Sequence, residues 1–560
     1  MSNGKKADGR LSERIRELAR EAFGYDGLRP GQEKAIRAVV EGRDALVVMP
    51  TGSGKSAIYQ VAGLMVEGKT VVVSPLLALQ RDQVEALTEY GAEGGEAEAL
   101  NSTLGREERR DLLERAATGK VEFLFLAPEQ FSSGDTLERL RESPPSLFVI
   151  DEAHCVTEWG HDFRPDYLQL KAVIESLGEP RILALTATAA APVREEIVER
   201  LGMKEPEIIV HGFDRPNLEL SVERMGGNKE KLERLLELLP DLGRPGIVYV
   251  ATRQHADELA ERLEEAGYRA AAYHAGRDKT DRERVQSAFM DDELEVIVAT
   301  TAFGMGVDKP HVAFVIHYDI TGSLDAYYQQ IGRAGRDGTP AAAILLYQPD
   351  DVRLQRFLNS GTAIDASTHE RIAVLVESAG GPVDAAELRE ATGLSVTRLQ
   401  TVLNHLEEVG ALEVDGDGTV TAVDGGPSAT EAAEAAQRLQ DRHKAFEKSR
   451  VEMMRSYAET EGCRRAYLLS YFGESYDPPC GNCDRCEAGQ VAEGHEDGPY
   501  PIGSQVMHES FGDGQVVRYE EGKVVVLFDE IGYQTLALDI VRERGILRGR
   551  EAGAGAAEGR

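Results

Sequence analysis

Residues 49–56 read Met-Pro-Thr-Gly-Ser-Gly-Lys-Ser and lie between an apolar stretch and a predicted helix. Glycines in such a loop let backbone N–H groups approach phosphate oxygens, and the following helix presents its positive N-terminus. We predict that Lys55 reaches the β- and γ-phosphates of a nucleotide and that the Ser56 hydroxyl binds Mg²⁺. The predicted phosphate-binding residues are Thr51, Gly52, Ser53, Gly54, Lys55 and Ser56. The strict P-loop formula has glycine where Met49 stands, so the alternative is a turn that only connects a strand to a helix.

Two adjacent carboxylates follow the apolar stretch Leu147–Ile150, about a hundred residues after this loop. An acidic residue at the end of an apolar strand is unusual unless it holds a ligand, although acids do end many strands. We predict that Asp151 holds Mg²⁺, mainly through water, and that Glu152 orients and polarises an attacking water molecule. The distance from the P-loop makes this interpretation much stronger than the acidic pair alone would.

A third set of candidate residues, after the P-loop and the acidic pair, lies in the segment Gln329–Gly338. Arg333 and Arg336 are three residues apart there, on a glycine-flanked turn or helix. Arginine is suited to stabilising charge on a transferring γ-phosphoryl group. Ordinary surface salt bridges are the alternative role. We predict that Gln329, Arg333 and Arg336 are catalytic and that ATP lies between two α/β domains, whose cleft opens and closes during hydrolysis.

Four of the five cysteines form the pattern C-x16-C-x2-C-x2-C. Four thiolates suit a tetrahedral, structural Zn²⁺ site, and the prolines, glycine and asparagine between them suit tight turns. An iron–sulfur cluster or four free thiols are the alternatives on spacing alone. The predicted ligands are Cys463, Cys480, Cys483 and Cys486.

Two further segments make the pattern more specific. Phe23-Gly24-Tyr25 precedes Arg29-Pro30-Gly31-Gln32, and the aromatic-rich loop Cys155–Tyr167 follows the acidic pair. Together with the motifs above, these segments resemble superfamily 2 helicases, and more narrowly the RecQ family. The resemblance implies an ATP-dependent 3′→5′ DNA helicase that acts on single-stranded and forked DNA in repair or recombination, with Mg²⁺ and zinc bound.

The resemblance also implies roles for individual residues. Tyr25 would stack on adenine, while Arg29 and Gln32 would read the edge of the base. Leu28 stands where the family usually has Phe, which is a departure from the pattern.

The aromatic-rich loop is implied to couple DNA contact to hydrolysis. Trp159 and Phe163 offer faces on which bases can stack, and Arg164 adds positive charge. Burial of these aromatic side chains in the core is the structural alternative.

Two different functions remain open from the motifs. One is an RNA helicase or a translocase that does not separate strands, which comparison of DNA with RNA as ATPase activators would distinguish. The other is a nucleic-acid-binding adaptor with an inactive ATP site, which the joint presence of the P-loop lysine, acidic pair and arginines opposes.

Strands that alternate with helical stretches predict the elements that position these groups. The fold class is therefore α/β, with two tandem RecA-like parallel-sheet domains, then a winged-helix-like segment, a helical zinc-binding subdomain and a small C-terminal β-barrel. The predicted strands are Ala45–Met49, Thr70–Ser74, Phe123–Ala127, Leu147–Ile150, Ile182–Thr186, Gly246–Val250, Ala270–Tyr273, Val296–Thr300, Val312–His317 and Ala342–Tyr347. The predicted segments are 1–212 (first RecA-like domain), 213–357 (second RecA-like domain), 358–428 (winged-helix-like insert), 429–488 (zinc-binding subdomain), 489–500 (acidic linker), 501–547 (Tudor/SH3-like barrel) and 548–560 (disordered tail).

Two accessory segments depart from the RecQ pattern. The insert is predicted to hold helices at Arg371–Ser378, Ala385–Ala391 and Ser395–Val409, and its acidic third helix is poorly suited to reading bases. The segment from Val506 to Phe528 resembles the Tudor-like barrel that ends UvrD-type helicases. That resemblance implies a protein partner, with RNA polymerase as the candidate, whereas a stabilising barrel is the alternative.

Charge and hydropathy limit the remaining classes. The chain has 97 acidic and 63 basic residues, a net charge of −34, which argues against nonspecific nucleic-acid binding by the whole surface. Residues 442–465 carry a local basic excess, either a phosphate-contacting track or a solvated helix face. Because the sequence shows no apolar run of membrane-spanning length and a polar N-terminus, we expect a cytoplasmic protein associated with the bacterial nucleoid.

Overall fold

The computed structural model describes residues 2–75, 77–89, 96–101, 104–132, 134–157, 165–167, 169–304, 309–359, 364–415, 418–474, 476–491, 498–520 and 522–549. The chain divides into two compact units. Unit 1 contains residues 1–212 and 362–441, and unit 2 contains residues 213–361 and 442–560. Within the described residues, no helix combines the length and apolar character needed to cross a membrane.

A seven-stranded parallel sheet, here called sheet A, forms the centre of unit 1. Its strands are β1 (Ala45–Val48), β2 (Thr70–Val73), β3 (Ala97–Leu100), β4 (Phe123–Leu126), β5 (Leu147–Ile150), β6 (Arg181–Thr186) and β7 (Glu207–Val210). They pair in the order β3-β4-β2-β5-β6-β1-β7. The central strands are apolar and buried because helices cover both faces of the sheet.

Helices accompany sheet A. They are α1 (Ser2–Phe23), α2 (Gln32–Val40), α3 (Ser56–Met65), α4 (Leu77–Glu89), α5 (Arg106–Ala117), α6 (Gly134–Glu142), α7 (Leu170–Ser176) and α8 (Ala191–Arg200). Helix α3 begins directly after the loop that follows β1. Helices α1, α2 and α3 contribute to one hydrophobic core with strands β1 and β4. This core fixes the base of the loop between β1 and α3.

A six-stranded parallel sheet, here called sheet B, forms the centre of unit 2. Its strands are β8 (Leu218–Arg224), β9 (Gly246–Tyr249), β10 (Ala270–Tyr273), β11 (Val296–Ala299), β12 (Phe314–His317) and β13 (Ala341–Tyr347), in the order β10-β11-β9-β12-β13-β8. The accompanying helices are α9 (Asn228–Leu238), α10 (Arg253–Glu265), α11 (Lys279–Met290), α12 (Leu324–Ile331) and α13 (Asp351–Asn359). The ten predicted strands are confirmed with shifts of one or two residues at their ends.

The predicted insert is a small winged-helix-like bundle within unit 1. It contains α14 (Ala366–Ala379), β14 (Val383–Asp384), α15 (Ala385–Thr392), α16 (Val396–Glu408), β15 (Leu412–Val414) and β16 (Thr419–Ala422). The three predicted helices are confirmed, and β15 pairs with β16 in an antiparallel arrangement; Gly416 and Asp417 lie outside the described residues. Glu408 of α16 forms an ion pair with Arg200 of α8. The acidic end of α16 is therefore committed to a contact inside unit 1.

A buried histidine pair makes the stability of this insert dependent on pH. The His369 and His405 rings are 3.0 Å apart between Nε2 and Nδ1, and burial, followed by the neighbouring His405, lowers the pKa of His369 to about 4. Because unfolded histidine titrates near pH 6.5, the unfolded chain binds the additional proton between pH 6.5 and 4. We expect the free energy of unfolding of unit 1 to fall by up to about 1.4 kcal/mol per pH unit across this window as pH decreases.

Thermal unfolding of the wild type and of His369→Gln at pH 7.5 and 5.0 checks this expectation. The variant should lose part of the pH-dependent difference, whereas His311→Gln, at a half-exposed position of unit 2, should keep it. An equal pH dependence in the wild type and His369→Gln would contradict the role of this pair.

The last part of the chain combines helices with a small antiparallel sheet. Its elements are α17 (Ala429–Glu459), α18 (Arg464–Tyr471), α19 (Asp484–Glu487), β17 (Gln505–His508), β18 (Gly512–Glu520), β19 (Lys523–Phe528), β20 (Gly532–Ala537), α20 (Leu538–Arg544) and β21 (Leu547–Gly549). The sheet has the order β20-β19-β18-β17-β21. Residues 550–560 of the predicted disordered tail lie outside the described residues.

The C-terminal sheet is attached to the zinc-binding helices of unit 2. The Arg518 guanidinium lies 3.4 Å from the centre of the Tyr467 ring. The Tyr533 backbone N–H donates to Ser449 Oγ at 3.0 Å, and the Tyr533 ring lies 5.4 Å from the Tyr471 ring. One part of the sheet surface is therefore used for packing inside the chain.

Candidate active site and metal centre

The P-loop lies between strand β1 and helix α3, as its sequence predicts. Gly52 and Gly54 have φ values of 77° and 76°, in the left-handed region that favours glycine. The Lys55 ammonium donates to the carbonyl oxygens of Met49 at 3.0 Å and Pro50 at 3.3 Å. The buried Ser53 Oγ has no hydrogen-bond partner among the described residues. This loop offers backbone and side-chain donors of the kind that phosphate oxygens require.

Two of the predicted adenine-reading residues contact this loop. Gln32 Nε2 donates to the carbonyl oxygens of Ser53 at 3.0 Å and Gly54 at 2.8 Å. The Arg29 guanidinium donates to the Gly52 carbonyl oxygen, and the Arg29 N–H donates to Gln32 Oε1 at 2.7 Å. Arg29 and Gln32 are thus brought to the phosphate-binding loop as a connected pair.

Tyr25 is held near the same helix by a different contact. Its hydroxyl donates to Gln60 Oε1 of α3 at 2.6 Å, and its ring is stacked at 5.9 Å from Phe23. The half-buried ring follows α1 and precedes the Arg29–Gln32 segment. This arrangement keeps an aromatic face beside the helix that starts at Ser56.

The acidic pair lies at the carboxyl end of β5. Burial and the Glu152 carboxylate raise the pKa of Asp151 to about 7, while Lys55 acts in the opposite direction. The P-loop follows β1 and Asp151 follows β5, so both lie at the carboxyl edge of the same parallel sheet. A carboxylate that is costly to ionise in isolation is well suited to a site where a cation binds.

Glu152 is connected to the next strand through His154. Glu152 has φ 50°, a strained conformation for a non-glycine residue. His154 Nδ1 lies 3.3 Å from Glu152 Oε2 and 2.9 Å from Thr186 Oγ1, and the Thr186 hydroxyl donates to the Thr188 carbonyl oxygen at 3.0 Å. Thr186, Ala187 and Thr188 form a Thr-Ala-Thr motif at the end of β6, and His154 was not among the residues predicted from sequence. The structure makes His154 the link between this motif and the acidic pair.

The aromatic-rich loop contains predicted residues whose structure is not described. Trp159, Phe163 and Arg164 lie outside the described residues. The loop nevertheless begins directly after the acidic pair, and Tyr167 at its far end donates through its hydroxyl to the Asp151 carbonyl oxygen at 3.1 Å. Both ends of the loop therefore connect to the acidic pair.

The predicted arginines of unit 2 lie in the turn that follows α12, residues 332–338, here called the arginine turn. Arg333 is buried and donates to the Gly304 carbonyl oxygen. Arg336 and Gln329 are half-buried. Beneath the turn, His317 Nε2 lies 2.7 Å from Gln330 Oε1, and burial lowers the pKa of His317 to about 4. His317 is therefore neutral at physiological pH.

The four cysteines predicted to bind zinc are brought together in unit 2. Their Sγ atoms all lie within 4.8 Å of one another. A tetrahedral site with Zn–S bonds of about 2.3 Å requires Sγ–Sγ separations of about 3.8 Å, and Cys480 and Cys486 are 3.8 Å apart. The Cys480 and Asn482 N–H groups donate to Cys486 Sγ and Cys480 Sγ at 3.3 and 3.4 Å. These residues fit a structural zinc ion, held by Cys463, Cys480, Cys483 and Cys486.

The basic excess of residues 442–465 is mostly used in ion pairs within unit 2. Each pair joins a basic residue of the segment to an acidic one: Arg442 to Glu530, Arg450 to Asp325, Arg455 to Glu459, Arg464 to Asp484 and Arg465 to Asp214. Arg450, Arg464 and Arg465 are also buried. These pairs favour structural roles over a continuous phosphate-contacting track.

Comparison with known families agrees with this geometry. Residues 29–197 match the DEAD/DEAH box helicase model, 230–338 match the helicase conserved C-terminal domain, and 430–487 match the RecQ zinc-binding model. A Bacillus subtilis protein named probable ATP-dependent DNA helicase RecS is 37% identical over 84% of this chain and 91% of its own length. The chain belongs to the RecQ helicase family.

Other RecQ relatives are longer than the matched region. The Haemophilus influenzae protein named ATP-dependent DNA helicase RecQ is 36% identical over 84% of this chain, which spans 63% of that relative. Among solved structures, the DUF1998 helicase MrfA bound to DNA has a TM-score of 0.51 at 18% identity, covering 75% of this chain and 60% of that one. This likeness shows a shared helicase fold alone.

Proposed function

We propose that this RecQ-family protein is an ATP-dependent DNA helicase that moves 3′→5′ along single-stranded DNA and separates duplex strands. The observation that carries the proposal is the placement of the P-loop after β1 and of the Asp151 carboxylate after β5, at the same edge of a parallel sheet. That pairing is the arrangement a nucleotide–Mg²⁺ complex requires. The family relationship supports the DNA substrate, the polarity and a role in repair or recombination, and we propose that this role is carried out on nucleoid DNA.

Within this proposal, the residues of unit 1 bind and orient ATP. Tyr25 stacks on the base, Arg29 and Gln32 read its edge, and Lys55 neutralises phosphate charge. Ser56 and Asp151 hold Mg²⁺, which supplies charge stabilisation at the phosphates when bound.

Hydrolysis requires a positioned water molecule and positive charge at the transferred group. Glu152 accepts a hydrogen bond from the attacking water and polarises it, with His154 fixing the carboxylate. Arg333 and Arg336 stabilise charge on the γ-phosphoryl group, and Gln329 assists them. Zinc has a structural role in holding the cysteine-bearing segment.

ATPase and unwinding assays on 3′-tailed and 5′-tailed duplexes test the proposal. We expect DNA to stimulate ATP hydrolysis and only the 3′-tailed duplex to be separated. A matched set of single-stranded RNA activators distinguishes an RNA helicase, and hydrolysis without strand separation would indicate a translocase. Absence of DNA-stimulated hydrolysis in the folded, zinc-loaded protein would overturn the proposal.

The aromatic-rich loop is proposed to couple DNA binding to hydrolysis through Trp159, Phe163 and Arg164. Because the loop connects at both ends to the acidic pair, base stacking can change the position of the catalytic carboxylates. We expect Trp159→Ala to reduce the stimulation of ATPase by single-stranded DNA by about 5- to 150-fold, the effect of losing a stacking contact of about 1–3 kcal/mol.

Two measurements check this expectation. Basal ATPase should stay within about twofold of wild type, since the mutated loop does not contribute to the P-loop, and Trp159→Phe should recover most of the stimulation because it keeps an aromatic face. Unchanged stimulation in Trp159→Ala would reject the coupling role.

We further propose a protein partner for the C-terminal sheet, with RNA polymerase as the candidate taken from the UvrD-like resemblance. The resemblance covers the segment from Val506 to Phe528. Met507 and Ile540 are exposed apolar side chains on this module and are available for such a contact. Binding of purified RNA polymerase to the wild type, but not to Met507→Asp, is the expected outcome.

A further inference from the structure

The segment that joins sheet B to the preceding residues lies against two functional parts of unit 2. This joining segment comprises residues 213–218. At its start the Phe213 ring is stacked on Phe472, 4.5 Å away with an interplanar angle of 3°. The Phe213 N–H donates to Glu474 Oε2 at 2.9 Å, and its carbonyl accepts from the Tyr328 hydroxyl at 2.7 Å. The segment is thus tied to both the zinc-binding region and α12.

Arg215 connects the joining segment to the arginine turn. Its guanidinium donates to the carbonyl oxygens of Gly332 at 3.2 Å, Ala334 at 2.8 Å and Gly335 at 2.9 Å. The last carbonyl groups of a helix lack partners within the helix, and a cation is favoured there. Arg215 therefore satisfies the carbonyl of Gly332, the C-cap residue of α12, and two further carbonyls of the arginine turn, directly beside Arg333 and Arg336.

Asn217 holds the far side of the same turn. Its Nδ2 donates to the Gly335 carbonyl at 2.9 Å and the Thr339 carbonyl at 2.8 Å. Gly335 has φ +54°, and a Cβ atom at this position would lie 2.5 Å from Asn217 Nδ2. This close approach requires glycine between the two predicted catalytic arginines.

The zinc-binding segment holds the joining segment from its other side. The buried Arg465 donates to the carbonyl oxygens of Arg215 and Leu218, both at 2.6 Å. Asn482, which lies between two of the cysteines, donates through Nδ2 to the carbonyl oxygens of Pro216 at 2.9 Å and Leu218 at 3.0 Å. A continuous chain of hydrogen bonds therefore runs from the cysteine-bearing segment through residues 213–218 to the arginine turn.

We infer that Arg215 is a positioning residue for Arg333 and Arg336, and that the zinc-binding segment holds it in place. The inference rests on the catalytic role proposed for those two arginines. A guanidinium group stabilises a transferring phosphoryl group only when it is placed within a fraction of an ångström of its productive position. Three hydrogen bonds from one planar guanidinium fix the turn in a way that a lysine ammonium cannot reproduce.

A double-mutant cycle with Arg215→Ala and Arg336→Lys tests the inference in the full-length, zinc-loaded protein. We expect Arg215→Ala to lower the kcat of DNA-stimulated ATPase by about 10- to 100-fold, the effect of a small misplacement of catalytic groups. KM for ATP, Kd for single-stranded DNA and zinc content should stay within about threefold of wild type. The double variant should be no more than about threefold slower than the slower single variant, because both changes act on one turn.

Control variants separate positioning from general destabilisation. Arg234→Ala removes a partly exposed arginine of unit 2 that pairs with Glu223, and should leave kcat unchanged. Asn482→Ala should keep one zinc per chain, while hydrogen exchange at the amides of residues 213–218 becomes faster and kcat falls. If Arg215→Ala does not fold, Asn217→Ala replaces it in the cycle and should lower kcat by roughly threefold or more.

Three results would overturn the inference. One is a folded Arg215→Ala variant with the kcat of Arg234→Ala. A second is a double variant whose loss equals the product of the two single losses, which indicates independent effects. Unchanged kcat in Arg336→Lys would instead reject the catalytic role of Arg336, and with it the basis for positioning by Arg215.

Discussion

Lys55→Ala is expected to reduce DNA-stimulated ATP hydrolysis by at least about 10³-fold, the scale associated with losing a charged group that acts on the transferred phosphoryl. The lysine ammonium lies among the carbonyl oxygens of its own loop, 3.0 Å from Met49 O, and alters the pKa of Asp151. Its replacement removes positive charge that neutralises the phosphate groups and that favours the ionised form of Asp151, the proposed Mg²⁺ ligand. The fold should survive, since Lys55 is half-buried and is not one of the residues that form the hydrophobic core of β1, α2 and α3.

Glu152→Gln gives a complementary expectation in the same assay. The amide keeps the shape of the side chain but is a far weaker hydrogen-bond acceptor for water, so kcat should fall by about 10²–10⁴-fold while KM for ATP changes little. The two variants therefore separate phosphate binding from activation of water.

Matched controls distinguish these losses from unfolding. Lys204→Ala and Glu199→Gln change exposed residues of unit 1 and should keep wild-type rates. Circular dichroism and thermal unfolding should be the same for all four variants within a few degrees. Residual ATPase above one tenth of wild type in folded Lys55→Ala would contradict the proposed active site.

The strand–loop–helix units of sheets A and B could be predicted from sequence because their signals are local. The apolar runs Phe123–Leu126 and Leu147–Ile150 are fully buried, and buried parallel strands lack polar alternation. The strands β3, β7 and β8 were missed for the opposite reason. All three are edge strands with partly exposed positions and at least one charged residue, as in Ala-Glu-Ala-Leu and Glu-Ile-Ile-Val.

Contacts between distant parts of the chain could not be predicted in the same way. The winged-helix-like insert packs within unit 1 through the pair of Arg200 and Glu408, which are 208 residues apart. Neither residue type nor its local spacing indicates such a partner. The contact of Arg215 with the arginine turn could not be predicted either. Its acceptors are backbone carbonyl groups, which every residue has, so residue types do not identify them.

The parts of the candidate site that could be predicted are those whose functional residues form short local motifs. Gly-Lys-Ser, Asp-Glu and Cys-x2-Cys-x2-Cys each require a specific local geometry, and the structure brings the cysteines together. His154 ends the tetrapeptide Asp-Glu-Ala-His at 151–154, but this local pattern does not identify the residue that His154 contacts. Its role depends on Thr186, which comes from a neighbouring strand of sheet A.

Cys483→Ser is expected to lower zinc content from one ion per chain to nearly none and to destabilise unit 2. Cys483 is fully buried and its backbone bridges to Leu220 of β8, so loss of this ligand affects the sheet as well as the metal site. Structural zinc contributes on the order of 10 kcal/mol to the folding of small zinc-dependent peptides. A decrease of about 3 kcal/mol in the free energy of unfolding lowers the Tm of a domain of this size by roughly 6–12 °C.

Metal analysis and thermal unfolding check this expectation, with Cys155→Ala as the control because Cys155 belongs to unit 1 and lies outside the cluster. The control should retain one zinc ion. A strong chelator should reproduce the effect of Cys483→Ser in the wild type, and hydrogen exchange should become faster in residues 213–218 because Arg465 and Asn482 lose their fixed positions. Bound iron with visible absorbance would indicate an iron–sulfur cluster in place of zinc. An unchanged Tm after complete zinc removal would contradict a structural role for the metal.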